Sequence, residues 1–144
     1  MGGKQLEVLI VEDNPGDARL IFELLKDTGL SIHTSIAQNG QIALDMLRKE
    51  DGHSTCSIPD LVILDLNLPK VHGFDILGYM NATDNLRSIP VVVMTGSLNK
   101  ADEETARSLG VTDYCTKPAS AADMDSATVC LKRHLEALTR RNKN

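Results

Sequence analysis

Three runs, Val8-Leu9-Ile10-Val11, Leu61-Val62-Ile63-Leu64 and Val91-Val92-Val93-Met94, are apolar at every position and rich in β-branched residues. A strand with one face in water alternates, so a strand apolar throughout needs cover on both faces. That is the condition of central strands in a parallel sheet wrapped by helices. Two less apolar runs complete a set of five: Glu7–Val11, His33–Ala37, Leu61–Leu64, Pro90–Met94 and Thr112–Thr116. Between them lie stretches of helical periodicity. Pro15 to Asp27 places Ala18, Ile21, Phe22 and Leu25 at spacings of three and four, with Asn14 as N-cap and Gly29 near the stop. Further helices are expected over about Gly40 to Lys49, Gly73 to Asn81, Lys100 to Leu109 and Ala121 to Arg140, and one long polar loop from Glu50 to Ser57. Five strands alternating with five helices imply an α/β fold built on a doubly wound parallel sheet with right-handed crossovers.

Such a sheet gathers at its carboxyl edge whatever follows each strand, and open α/β sheets bind ligands there. Glu12 and Asp13 follow the first run, Asp65 the third, Thr95 the fourth, and Lys117 with Pro118 the fifth. Each residue taken singly has an ordinary role: an acidic pair capping a helix, a turn-forming Asp or Thr, a solvated Lys before a proline. Together they form a carboxylate cluster with one ammonium and one hydroxyl, which suits a divalent cation and a phosphoryl group. Hard oxygen donors favour Mg²⁺ or Mn²⁺ over zinc.

Asp65 is the centre of this cluster. It follows four apolar residues and precedes Leu66-Asn67-Leu68-Pro69, so its charge at the core edge needs a cation or the Lys117 ammonium. A carboxylate so held is a competent nucleophile toward phosphorus. The modest trans preference of a Lys–Pro bond also permits a cis peptide that aims Lys117 inward. Tyr114, one of two tyrosines, stands three residues earlier as a candidate rotamer switch reporting on Thr95.

Composition narrows the partners. A net charge of −5 over 144 residues argues against general affinity for nucleic acid or anionic membrane. No run approaches the ~18 apolar residues of a membrane span. Cys56, Cys115 and Cys130 are odd in number and lack short metal-type spacing, which reads as reduced thiols in a cytoplasmic protein.

Val11-Glu12-Asp13-Asn14, Leu64-Asp65-Leu66-Asn67-Leu68-Pro69 with Gly73 beyond, Met94-Thr95-Gly96 and Lys117-Pro118 follow one another in register. In these residues the chain resembles response-regulator receiver domains of two-component signalling, and more narrowly the single-domain regulators of phytochrome-like sensor kinases. The resemblance implies a flavodoxin-like sheet of order 2-1-3-4-5 and one receiver domain over residues 5–141 with no output domain. It makes Asp65 the phosphoacceptor, with Mg²⁺ held by Glu12, Asp13, Asp65 and the backbone carbonyl of Asn67. Lys117 would pair with Asp65 or the phosphoryl group, and Thr95 with Tyr114 would form the switch. The implied partners are a sensor histidine kinase and a downstream protein target or phosphorelay protein. A homodimer through the fourth and fifth helices also belongs to that set, although this chain ends Leu138-Thr139-Arg140-Arg141 without an aromatic-bearing tail. Small residues after Pro118 (Ala119-Ser120-Ala121-Ala122) imply shallow docking of the fifth helix, and Asn67 and Ser97 sit where the family varies acyl-phosphate lifetime.

Two other classes compete. An aspartyl phosphohydrolase would place a second Asp two residues after its nucleophile as general acid, and Asn67 cannot protonate a leaving group. A nucleotide- or flavin-binding domain would need a glycine-rich loop, whereas Glu12-Asp13-Asn14-Pro15-Gly16-Asp17 is acidic and would repel a pyrophosphate. The chain therefore reads as a signalling module that catalyses only its own phosphoryl transfer.

Overall fold

The computed structural model describes residues 5–48, 58–69, 71–96 and 99–142. The polar loop expected over 50–57, with Cys56, and the Ser97 position lie outside the described residues. In chain order the elements are β1 (Leu6–Val11), α1 (Pro15–Asp27), β2 (Ile32–Ala37), α2 (Gly40–Arg48), β3 (Leu61–Leu64), α3 (Gly73–Asn81), β4 (Val91–Thr95), α4 (Lys100–Ser108), β5 (Asp113–Thr116) and α5 (Ala121–Asn142). Every expected element is present, with ends shifted by one or two residues. Thr95, expected just past its strand, is the last residue of β4 and pairs with Thr116.

The strands pair in the order β2-β1-β3-β4-β5, all parallel. Alternate residues of the apolar runs explain their continuity. Leu9, Val11, Val62, Leu64, Val91 and Val93 face a core completed by Ala43 and Leu47 of α2, Ile76 and Met80 of α3 and Ala106 of α4. Val8, Ile10, Leu61, Ile63, Val92 and Met94 face the opposite core, closed by Ile21, Leu24 and Leu25 of α1 and Ala127, Leu131, Leu135 and Leu138 of α5. On α5 no residue before Ala127 is fully buried, in keeping with small residues after Pro118.

Local chemistry sets the helix starts. Asn14 caps α1, its side chain accepting from Asp17 N, with Pro15 in the first turn. His72 caps α3 in a reciprocal box with Asp75, a pairing the sequence reading did not single out. Gly73 lets α3 begin directly beneath the loop that follows β3. A Cβ there would stand 2.8 Å from Leu66 Cα and 3.0 Å from the Asp65 carbonyl oxygen. Both are backbone atoms, so Gly73→Ala must displace the Asp65 loop. It is expected to cost about 1–3 kcal/mol, as overpacking does, and an unchanged urea midpoint would contradict the close approach.

Candidate functional site

Register brings the candidate residues together. Val11 pairs with Leu64 and Leu64 with Val93, so β1, β3 and β4 end near one level. Backbone bonds hold the exits: Glu12 N donates to Ala37 O at 3.0 Å, Asp65 N to Val11 O at 3.1 Å and Lys117 N to Thr95 O at 2.9 Å. Glu12, Asp65 and Thr95 are buried, whereas Asp13 is exposed. One oxygen from each of Glu12, Asp13 and Asp65 lies within 4.8 Å of the others.

The Lys117 ammonium sits among carboxylates. Nζ is 2.8 Å from Glu12 Oε1, 2.9 Å from Asp65 Oδ2 and 2.8 Å from Asp17 Oδ2. Burial pulls its pKa down, but the bonds to Asp17, Glu12 and Asp65 outweigh burial and hold it above its ordinary value. No cis peptide occurs among the described residues, so Lys117 reaches the acids without the cis bond that the sequence permits. The second oxygen of Asp65, Oδ1, accepts from Asn67 N at 3.1 Å.

Glu12 carries the strain of the cluster. Burial pushes its carboxyl up to about 7, and the Asp65 charge adds to this against the lowering contacts from Lys117 and Asn14 N. Oε2 accepts from Asn14 N at 3.2 Å, and the buried Oε1 pairs with Lys117 Nζ at 2.8 Å. Three carboxylates whose oxygens lie this close, two of them buried and sharing one ammonium, are a donor set that a hard divalent cation stabilises. The residues present fit Mg²⁺ or Mn²⁺.

Two participants were missed from sequence. Asp17 stands four residues after Asp13, on the first turn of α1, and its signal was only that spacing. The Asn67 side chain, which carried no local signal, donates to Thr95 Oγ1 at 3.4 Å and so links the Asp65 loop to β4.

Tyr114 lies on β5, packed against the α4 side of the core. Its buried hydroxyl has no hydrogen-bond partner among the described residues, and burial, followed by the charges of Asp102 and Glu103, raises its pKa. An unsatisfied buried hydroxyl costs about 1–3 kcal/mol. Tyr114→Phe is therefore expected to leave stability unchanged or raise it by about 1 kcal/mol. Urea denaturation checks this, and a clear loss of stability would show that the hydroxyl has a partner.

Comparisons with known proteins place the fold. The model of the response regulator receiver domain matches residues 8–128. The chain is 37% identical over 127 residues to the probable methanogenesis regulatory protein FilR2 of Methanothrix harundinacea, covering 88% of this chain and 81% of that one. It is 35% identical over 117 residues to the response regulator Rcp1 of Synechocystis, covering 81% and 80%. Among solved structures it is similar to the phosphorylated cyanobacterial phytochrome response regulator RcpA, with a TM-score of 0.83 and 33% identity over 90% of this chain and 92% of that one. With a matching family model, similarity across most of both chains and a matching strand order, the chain belongs to the response regulator receiver domain family of two-component signalling.

Proposed function

We propose that Asp65 accepts a phosphoryl group from a phosphohistidine of a sensor kinase, and that the change this makes around Thr95 and Lys117 is the signal. The observation that carries the reading is the setting of Asp65: a buried carboxylate at the end of β3, held at Oδ2 by Lys117 Nζ and at Oδ1 by Asn67 N, with Glu12 and Asp13 beside it. An Asp65 oxygen attacks phosphorus, the P–N bond to the kinase imidazole breaks, and an acyl phosphate results. Glu12, Asp13, Asp65 and the Asn67 carbonyl would hold Mg²⁺, which supplies charge neutralisation for the phosphoryl oxygens. The similar Rcp1 has been solved in an Mn²⁺-bound form, and RcpA in a phosphorylated one.

Lys117 is already charged and in place, so it can exchange one of its carboxylate partners for a phosphoryl oxygen without moving far. Thr95 presents a hydroxyl at the same edge, and its contact with the Asn67 side chain joins it to the phosphoacceptor loop. Phosphorylation there adds charge and acceptor oxygens that draw both groups inward. Tyr114, with its unsatisfied hydroxyl, is the group on β5 that such a movement would release toward α4. The receiver spans about residues 5–141 and signals to a protein partner in the cytoplasm rather than to a small substrate. No helix among the described residues is long and apolar enough to cross a membrane.

Intact-mass spectrometry after incubation with acetyl phosphate tests the reading. One phosphoryl group per chain is expected, dependent on Mg²⁺, removed by hydroxylamine as an acyl phosphate is, and absent in excess chelator. No adduct on a folded protein that binds Mg²⁺ would refute it.

A further inference from the structure

A second donor cluster lies away from the Asp65 pocket. Asp113 and Cys115 are two apart on β5 and share one face of the strand; Cys130 and His134 are four apart on α5 and share one face of the helix. The two faces meet. Cys115 Sγ is 3.6 Å from Cys130 Sγ, and Cys130 Sγ is 3.3 Å from Asp113 Oδ2. His134 Nε2 lies 2.9 Å from the same carboxylate oxygen. The ligand atoms of Asp113, Cys115 and Cys130 all fall within 4.8 Å of one another. Both thiols line a cavity of about 380 Å³ together with Glu103, Tyr114, Asp123 and Ser126.

We propose that Asp113, Cys115 and Cys130 form a binding site for a thiophilic divalent cation of the Zn²⁺ class, with His134 as the positioning residue that holds the carboxylate. Tetrahedral zinc, with Zn–S of ~2.3 Å and Zn–O of ~2.1 Å, separates two sulfurs by ~3.8 Å and a sulfur from an oxygen by ~3.6 Å. The observed 3.6 and 3.3 Å lie within a few tenths of an ångström of those edges. A disulfide would need the sulfurs at ~2.05 Å. The mixed sulfur and oxygen donors disfavour Mg²⁺, so the two sites sort cations by hardness. His134 behind Asp113 reproduces the carboxylate–imidazole contact that orients ligands around metals.

A cation here would bind both cysteines as thiolates while two protons leave to solvent. Arg133 now lends Asp113 a distant charge at 3.6 Å, but its side chain is two-thirds exposed and free to withdraw. A cation here would brace α5 against β5, on either side of Tyr114.

The test is a Co²⁺ titration of the reduced full chain in saturating Mg²⁺, which occupies the oxygen-only pocket. Thiolate-to-cobalt charge-transfer bands and tetrahedral d–d bands are expected, saturating at one Co²⁺ per chain and bleached by Zn²⁺. Cys130→Ser should abolish them, and Cys56→Ser should keep them. His134→Gln should keep the bands while weakening affinity by about 10–100-fold, the usual effect of losing an orienting partner. Circular dichroism confirms that each variant is folded. Absence of thiolate bands in wild type, their persistence in the Cys115→Ser Cys130→Ser double variant, or their loss in Cys56→Ser would overturn the site, and none of these outcomes depends on phosphorylation of Asp65.

Discussion

Asp65→Asn is expected to take up no phosphoryl group from acetyl phosphate while wild type takes up one. The amide keeps the shape of the carboxylate but is not nucleophilic toward phosphorus, and the two neighbouring carboxylates are placed differently. Glu12 is locked against Asn14 N and Lys117, with its charge disfavoured by burial. Asp13 is exposed and lacks the pair of hydrogen bonds that fix Asp65. The fold should survive. An amide oxygen can accept from Asn67 N or from Lys117 but not both, a loss of about 1 kcal/mol, and removing one negative charge beside Glu12 offsets part of it. Intact-mass spectrometry of both proteins decides the matter: an Asp65→Asn variant labelled to wild-type stoichiometry would move the acceptor elsewhere.

Lys117→Met should be the most destabilising single change at the site. It keeps the length of the side chain and removes the one ammonium that Glu12 and Asp65 share, leaving two buried carboxylates without a counter-charge. Breaking a buried pair from one side costs about 3–5 kcal/mol. Glu12 escapes part of this by taking up a proton, which its raised pKa makes easy, so about 3 kcal/mol is the expected loss in chelator. Asp17 adds little, being more than a third exposed. Mg²⁺ supplies the missing charge: at a hundredfold excess over the variant's dissociation constant it adds about 2.7 kcal/mol, and wild type, which binds it more weakly, should gain less at the same concentration. Urea denaturation in EDTA and in Mg²⁺ measures both effects. A variant as stable as wild type in EDTA, or one that gains no more from Mg²⁺ than wild type does, would show that Lys117 is not the counter-ion of the cluster.

Much of this site was legible before any coordinates. The apolar runs of β1, β3 and β4 could be satisfied only by cover on both faces, and that single demand set the sheet parallel and its carboxyl ends together. The gathering of Glu12, Asp13, Asp65, Thr95 and Lys117 at one edge was readable because each stands at a strand end, where position along the chain translates directly into position in space. Asp17 and the Asn67 side chain stand past those ends, on a helix turn and in a loop, and nothing in their local pattern said which way they face. The cis bond before Pro118 was a permitted option that the backbone does not take.

The sequence by itself determined the order of elements, the two cores and the set of side chains delivered to the sheet edge, because hydrophobic periodicity is a local property with global consequences. Tertiary structure alone decided who pairs with whom. Lys117 meets Asp17 across 100 residues of chain, and Cys115 meets Cys130 only through the docking of α5 on β5. Those meetings depend on how Leu131, Leu135 and Leu138 seat in the core, and the close packing that fixes their depth is a sum over many contacts that no short motif encodes.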